Sequence, residues 1–261
     1  MGKVLVTGGN GHLGKYVVDV LLEKGFKTAV LTTRTNISDE REIEFFTGDL
    51  IENHGLKAAA AGVEVIIHCA SNPQNFNEAD IAGTKNLLNA IDRNSIKHFI
   101  YISIVGIDKS DYPYYQGKLE VENAIAKSNI PFTIARPTQF HDLVLNMIKT
   151  LDQSTDKDAI TIPSGLRFQS VAVQEVAEML VGIALESPSG RRADFGGPEI
   201  FRFEEMVKTY LEVIQSDKKI QLEEPLDIRH QLFTTGINLC PDASFGKELW
   251  KEYLIAILSA K

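Results

Sequence analysis

The sequence predicts an α/β fold, a doubly wound parallel sheet with a small C-terminal lobe. Three observations carry that expectation. Short apolar runs alternate with helical patterns at the spacing of βαβ units through the first half of the chain. The first apolar run passes directly into a glycine-rich loop that opens a helical pattern. Val63 to His68 is almost continuously apolar, as a parallel strand is when both of its faces are covered.

In order, Val4 to Val6 reads as a strand. His12 to Glu23 reads as a helix with Leu13, Val17, Val20 and Leu21 on one face, and Gly25 as its C-terminal stop. Strands are expected at Thr28 to Thr33, Ile43 to Phe46, Val63 to His68, Phe99 to Ser103 and Phe132 to Ala135. Helices are expected at Glu78 to Arg93 and from Lys118 to Lys127. After Met147 the rhythm changes: the polar stretch from Thr150 to Asp158 reads as a mobile surface loop. Beyond it come a strand at Phe168 to Val173, an apolar helical stripe from Val173 to Ala184, a turn at Ser187 to Gly190, and helices at Glu204 to Ile214 and Phe245 to Leu258. The expected division is residues 1–150 as a nucleotide-binding domain and 151–261 as a small lobe, partly interleaved with it.

Composition excludes several classes. With 261 residues and a net charge of −8, the chain lacks the basic balance of a nucleic-acid binder. Cys69 and Cys240 are isolated, so neither a disulfide framework nor a zinc site is expected, and no other metal spacing is visible. The N-terminal apolar run is too short for a signal peptide or a membrane span, which leaves a cytoplasmic protein that makes no membrane contact as the expectation. A homo-oligomer is left open.

The loop Thr7-Gly8-Gly9-Asn10-Gly11-His12-Leu13-Gly14 has the strand before it and the helix after it that a dinucleotide loop requires. Glycines there permit a tight turn, close approach of a pyrophosphate and close packing of the helix. The helix N-terminus adds N–H groups and partial positive charge for phosphates. The second strand ends Leu31-Thr32-Thr33-Arg34, with no carboxylate before Asp39. An acidic residue there favours NAD(H) and an arginine favours the 2′-phosphate of NADP(H). NADP(H) is therefore the expected cofactor over NAD(H), with Arg34 and Thr33 as its phosphate contacts; the alternative is that Arg34 is an ordinary solvated residue. Tyr114 and Lys118 are one helical turn apart and so share a face. A nearby ammonium favours the phenolate and tunes a tyrosine toward proton transfer. The alternative is an unrelated surface pair.

The spacing Gly8-x-x-Gly11-x-x-Gly14 after Thr7 resembles the extended and atypical branches of the short-chain dehydrogenase/reductase superfamily. Details of the chain and the shortness of the C-terminal lobe are most similar to the NmrA-like, NAD(P)H-binding members. That resemblance implies a Rossmann fold whose small C-terminal lobe contacts substrate. It implies that Asp49 and Leu50 meet the adenine and that Cys69, Ala70 and Ser71 wall the cofactor. Asp80-Ile-Ala-Gly83-Thr84-Lys-Asn86-Leu87-Leu88 matches the family's helix motif with Asp80 in place of an asparagine. Arg136-Pro137 matches the pair that borders the nicotinamide. Tyr114 becomes the general acid/base, Lys118 its partner and a ribose contact. Ser103 takes the strand-end hydroxyl role, unless the register puts Ile104 there. Gln139 and His141, just past Pro137, would face a small-molecule substrate. The expected activity is an NADP(H)-dependent oxidoreductase passing a hydride to or from a small carbonyl or quinone. The alternatives are a non-catalytic NADP(H)-binding redox sensor and, third, a nucleotide-sugar epimerase or dehydratase.

Overall fold

The computed structural model describes residues 2–35, 37, 40–154, 157–224 and 228–259. Asp39, the carboxylate noted after the second strand, lies outside the described residues. The elements are β1 (Lys3–Thr7), α1 (His12–Glu23), β2 (Thr28–Thr32), β3 (Ile43–Thr47), α2 (Leu56–Ala60), β4 (Val63–His68), α3 (Gly83–Ala90), β5 (His98–Ile102), α4 (Pro113–Ala126), β6 (Phe132–Ala135), α5 (His141–Ser154), β7 (Ala159–Pro163), β8 (Arg167–Phe168), α6 (Val173–Ala184), β9 (Gly190–Arg191), β10 (Phe201–Arg202), α7 (Phe203–Val213), β11 (Lys219–Glu223), α8 (Ile228–Thr235) and α9 (Trp250–Ser259). They fall into two compact units. One holds the described residues of Met1–Ser103, Pro113–Arg136 and Gln174–Ala193; the other holds those of Ile104–Tyr112, Pro137–Val173 and Asp194–Lys261.

The first unit is built on a parallel sheet in the order β3-β2-β1-β4-β5-β6-β9. Strand order reverses between β1 and β4, the switch point at which open α/β sheets bind ligands. β2 and β5 are buried at every residue, as strands covered on both faces are; their polar members, Thr28, Thr32 and His98, hydrogen-bond there. Leu5, Ala29, Ile66, Phe99 and Ile134 from the strands pack with Leu56, Leu87, Val121 and Ile125 from the helices. Each fully buried aliphatic or aromatic side chain contributes roughly 1.5–3 kcal/mol. α1 buries Leu13, Val17, Val18, Val20 and Leu21. It stops at Gly25, whose φ of 73° suits glycine and whose N–H bonds Leu22 O at 2.9 Å while Phe26 N–H bonds Leu21 O at 2.9 Å.

α4 is tied to β6 by one buried ion pair. The Arg136 guanidinium donates through Nε to Glu122 Oε1 at 2.7 Å and through Nη2 to Glu122 Oε2 at 2.6 Å, in the bidentate geometry that suits this pair. Arg136 is fully buried, and its ion pair clamps the helix that carries Lys118.

The second unit has two small sheets, β10 antiparallel to β8 and β11 parallel to β7. Its core joins Val144, Leu145 and Ile148 of α5 to Ile160, Ile162, Phe168, Phe203, Met206, Trp250 and Leu254.

Several boundaries differ from the sequence expectation. The helix expected over 78–93 begins as a π-helical turn, Asn77–Ala82, and ends at Ala90. There the Asp92 side chain accepts the Asn94 N–H at 3.0 Å and offers the backbone a turn instead. α4 starts at Pro113, where a fixed φ and a missing N–H suit a first helical position. The first part of the stretch from Thr150 to Asp158 is helix, not loop: α5 runs to Ser154, and Thr150 Oγ1 satisfies itself on Asn146 O at 2.8 Å. The strand expected over 168–173 is limited to Arg167–Phe168. The last helix starts at Trp250, because the N–H groups of Phe245 and Gly246 are both spent on Gly196 O.

Candidate functional site

The glycine loop closes on itself. Gly8 sits at φ +68°, and a Cβ there would come within 2.7 Å of the Ala70 nitrogen. Gly11 N–H bonds Gly8 O at 2.8 Å, which brings the loop into a tight turn ahead of α1. A Cβ on Gly14 would collide with Gly8 O, so that glycine is required by the loop's own turn. No side chain caps the N-terminus of α1, and its first turn carries no acidic residue. An uncapped helix start behind a bare glycine turn is what a diphosphate fits.

Beside the loop is a cleft of about 440 Å³, lined by Gly8, Asn10, Gly11, Thr33, Arg34, Asp49, Leu50, Ala70 and Ser71 among others. The sequence expectation thus gathers residues from the ends of four strands at one place. Thr32 Oγ1 accepts Asn10 Nδ2–H at 2.9 Å and the Arg34 backbone N–H at 3.1 Å, which fixes the Asn10 side chain and the backbone from which Arg34 projects. Asp49 Oδ1 accepts the N–H groups of Ile51 at 2.7 Å and Glu52 at 3.2 Å, folding its own turn. The α3 motif holds this floor. A Cβ on Gly83 would meet Leu50 Cβ at 3.0 Å, and Asn86 Nδ2 donates to Leu50 O at 2.8 Å.

Thr7 and Cys69 lie under the cleft and do not line it. Thr7 Oγ1 bonds His68 Nδ1 at 2.5 Å, and His68 Nε2 bonds Thr84 Oγ1 at 2.8 Å. Burial lowers the His68 pKa to about 3, so a neutral imidazole ties β1, β4 and α3 together beneath the loop. Burial pushes the Cys69 thiol up to about 12, which removes it from nucleophilic chemistry. Leu13 is a core residue.

The acid/base pair lies at the same edge of the unit. Lys118 is 2% exposed. Its Nζ donates to Ile102 O at 3.0 Å, stands 4.3 Å from the Tyr101 ring centroid and is 3.8 Å from Asp80 Oδ1. Burial lowers its pKa to about 8, against the pull of Asp80 and Glu122. Tyr114 packs edge-on to Phe76, with ring centroids 5.9 Å apart. Gly117 lets that ring in, since a Cβ there would be 2.5 Å from Phe76 Cδ2.

The hydroxyl that meets Tyr114 is that of Ser71, at 2.9 Å. Ser71 in turn donates to Asp80 Oδ1 at 2.6 Å, and Asn72 N–H donates to Asp80 Oδ2 at 2.9 Å. Ser103, given the strand-end role by the sequence, has a buried Oγ with no hydrogen-bond partner. From sequence Ser71 is only a cofactor wall, because its partner is 43 residues away. Asp80 is from sequence only a departure from an asparagine; the signal for its role is an acid in place of an amide upstream of a buried lysine.

Pro137, Gln139 and His141 belong to the second unit, and two of them are not surface groups. His141 is 1% exposed and has both nitrogens occupied, Nδ1 by Ser170 Oγ at 2.8 Å and Nε2 by Glu248 O at 3.1 Å. Burial lowers its pKa to about 4, and it packs against Trp250 and Tyr253. Gln139 is also buried, its Oε1 accepting Asn238 Nδ2–H at 3.1 Å. Both are polar residues buried and hydrogen-bonded within their own unit, at positions the sequence expects to face substrate. Pro137 pairs with Phe195. Among the described residues no cluster of three or more His, Cys, Asp or Glu could hold a metal ion, and no helix is long and apolar enough to cross a membrane.

The model of the NmrA-like family matches residues 1–192. The chain belongs to that family. It is similar to a decarboxylating sterol-4-alpha-carboxylate 3-dehydrogenase from Mus musculus, 29% identical over a match covering 49% of this chain and 42% of that protein. It is also similar to a photosystem II assembly factor from Cyanophora paradoxa, 27% identical over 58% of this chain and 50% of that one. The chain thus spans half or less of the length of these curated relatives. Among solved structures, an NADPH-dependent quinone oxidoreductase from Escherichia coli in complex with NADPH superposes with a TM-score of 0.80 at 15% identity, covering 98% of this chain and 99% of that one. A UDP-N-acetylglucosamine 4-epimerase from Methanobrevibacter ruminantium superposes at 0.74 and 16% identity, over 100% of this chain and 99% of that one. These likenesses fix the fold as Rossmann-like.

Proposed function

We propose that this NmrA-like chain is an NADP(H)-dependent oxidoreductase acting on a small carbonyl or quinone. One observation carries the reading. Ser71 lines the glycine-loop cleft and its hydroxyl is also the partner of Tyr114, so the dinucleotide cleft and the proton donor share a residue. The uncapped start of α1 and the Gly8–Gly11 turn would hold the pyrophosphate, and Asp49 and Leu50 would flank the adenine. Arg34 would take the 2′-phosphate through its guanidinium. When bound, the nicotinamide supplies or accepts the hydride. Tyr114 gives or takes the proton at the substrate oxygen, and Lys118 with Asp80 holds the charge balance behind it. The quinone oxidoreductase and the sterol dehydrogenase, which the chain resembles, support this class by their names.

One observation favours the sensor reading instead. The Ser103 hydroxyl is buried and unpartnered, so the strand-end hydroxyl expected of a turning-over member does not reach Tyr114. Turnover and its loss in Tyr114→Phe separate the two. For the cofactor, losing a charge-assisted phosphate contact costs about 1.5–3 kcal/mol, or about tenfold to a hundredfold in affinity. Arg34→Ala is expected to weaken NADPH binding by that factor and leave NADH binding unchanged, measured by fluorescence titration of both. Equal weakening for the two dinucleotides removes Arg34 from the 2′-phosphate.

A further inference from the structure

We propose that Asp80, acting through Ser71, holds Tyr114 as a protonated donor and so sets this site for reduction. The inference rests on the oxidoreductase reading above and gives it a direction.

The hydrogen bonds can be oriented. Three donors converge on the Asp80 carboxyl: the Ser71 hydroxyl at 2.6 Å, the Asn72 N–H at 2.9 Å and, further off at 3.8 Å, the Lys118 ammonium. A carboxylate is acceptor-only and satisfies all of them. A serine hydroxyl has one proton, and here it points at Asp80. In the 2.9 Å contact with Tyr114, Ser71 is therefore the acceptor and Tyr114 the donor. The chain runs Tyr114 O–H to Ser71 O–H to the Asp80 carboxylate. A hydrogen bond given by the neutral form disfavours ionisation of the giver, and a nearby like charge disfavours it again. Asp80 is 1% exposed, which strengthens its field on the cluster.

The other titratable groups around the chain do not undo this. Lys118, on α4, spends one proton on Ile102 O and sits against Asp80. Glu122 is bound by Arg136. Tyr101, on β5, is buried and Cys69, after β4, half-buried; both are acids that stay protonated, with pKa values pushed up by loss of solvent. An asparagine at position 80, the residue expected from the family motif, would supply the same shape without the charge.

The step balances as a reduction. The substrate carbonyl carbon gains the hydride from NADPH, its oxygen gains the Tyr114 proton as the Tyr114 O–H bond breaks, and the phenolate left behind is reprotonated by solvent. Alcohol oxidation needs that phenolate at the start, which Asp80 and Ser71 oppose. Asp80 and Ser71 touch neither substrate nor hydride and are positioning residues.

The test uses tyrosinate ultraviolet absorbance of the ligand-free protein, with Tyr114 isolated as the difference between wild type and Tyr114→Phe. In Asp80→Asn the Tyr114 increment is expected to move to lower pH by about one unit or more, as follows from removing a buried like charge. Ser71→Ala, at an exposed position that threatens no core, is expected to move it the same way, and Ser71→Thr, which keeps the hydroxyl, to restore the wild-type position. An increment that stays put in both Asp80→Asn and Ser71→Ala overturns the proposal. NADPH titration of the same proteins separates the two readings. A shift without NADPH binding leaves the hold of Asp80 and Ser71 on the Tyr114 proton standing and removes the oxidoreductase, and the direction of reaction with it; NADPH binding without a shift removes this inference alone.

Discussion

Tyr114→Phe is expected to bind NADPH as wild type does and to lose about 10²–10⁴-fold in carbonyl reduction, the usual cost of removing a positioned acid. The magnitude follows from geometry: Tyr114 is held between the Phe76 ring and the Ser71 hydroxyl, so its oxygen is fixed while its ring packing survives the change to phenylalanine. The hydroxyl meets Ser71 and the ring packs on Phe76, whereas the phosphate-binding turn is built from Gly8 and Gly11, so binding and chemistry are expected to separate. The assay is NADPH oxidation against a panel of small aldehydes, ketones and quinones. Quinone reduction can draw its proton from solvent, so a variant that keeps quinone turnover and loses carbonyl turnover assigns Tyr114 to the carbonyl class alone. A wild type that binds NADPH tightly and turns over nothing on the panel shifts the reading to a sensor.

Glu122→Ala is expected to cost about 3–5 kcal/mol of stability, because it removes the bidentate carboxylate partner of a guanidinium held in the interior. Both partners are buried and the contact is bidentate at 2.6–2.7 Å, so neither can reach water without moving α4 or β6. The double variant Glu122→Leu with Arg136→Met is expected to recover most of that loss, since a buried ion pair replaced by packed apolar groups is close to neutral. Urea unfolding of the three proteins checks both statements. A single variant that costs under about 1 kcal/mol contradicts the clamp. The functional consequence lies one turn away: Lys118 precedes Glu122 on the same helix, so loosening α4 loosens the ammonium behind Tyr114.

The strands and the glycine loop were legible because each depends on local pattern. Val63 to His68 could be placed by its apolar run, and Gly8, Gly11 and Gly14 by the strand and helix around them. What failed was set by burial. His141, just past Pro137, reads as a residue facing substrate, yet it opens α5 and packs on Trp250 and Tyr253, more than a hundred residues away in sequence. Thr150 reads as the start of a polar surface loop but bonds back onto Asn146 while Ile148 holds the helix to its core. Ser103 matched a family position by number, whereas the hydroxyl that meets Tyr114 arrives from the end of β4. Local spacing names the elements; which side chains meet is decided by how the strand ends converge at the switch point between β1 and β4.

If the glycine-loop cleft is the dinucleotide site, one titration shows it. NADPH is titrated into wild type and into Gly11→Val, followed by cofactor fluorescence, with unfolding curves confirming that both proteins are folded. Gly11 forms the turn on which the pyrophosphate is expected to lie, and a valine side chain there would fill the approach. The account predicts saturable NADPH binding by wild type and none measurable by the folded variant. Unchanged NADPH affinity in Gly11→Val would contradict it.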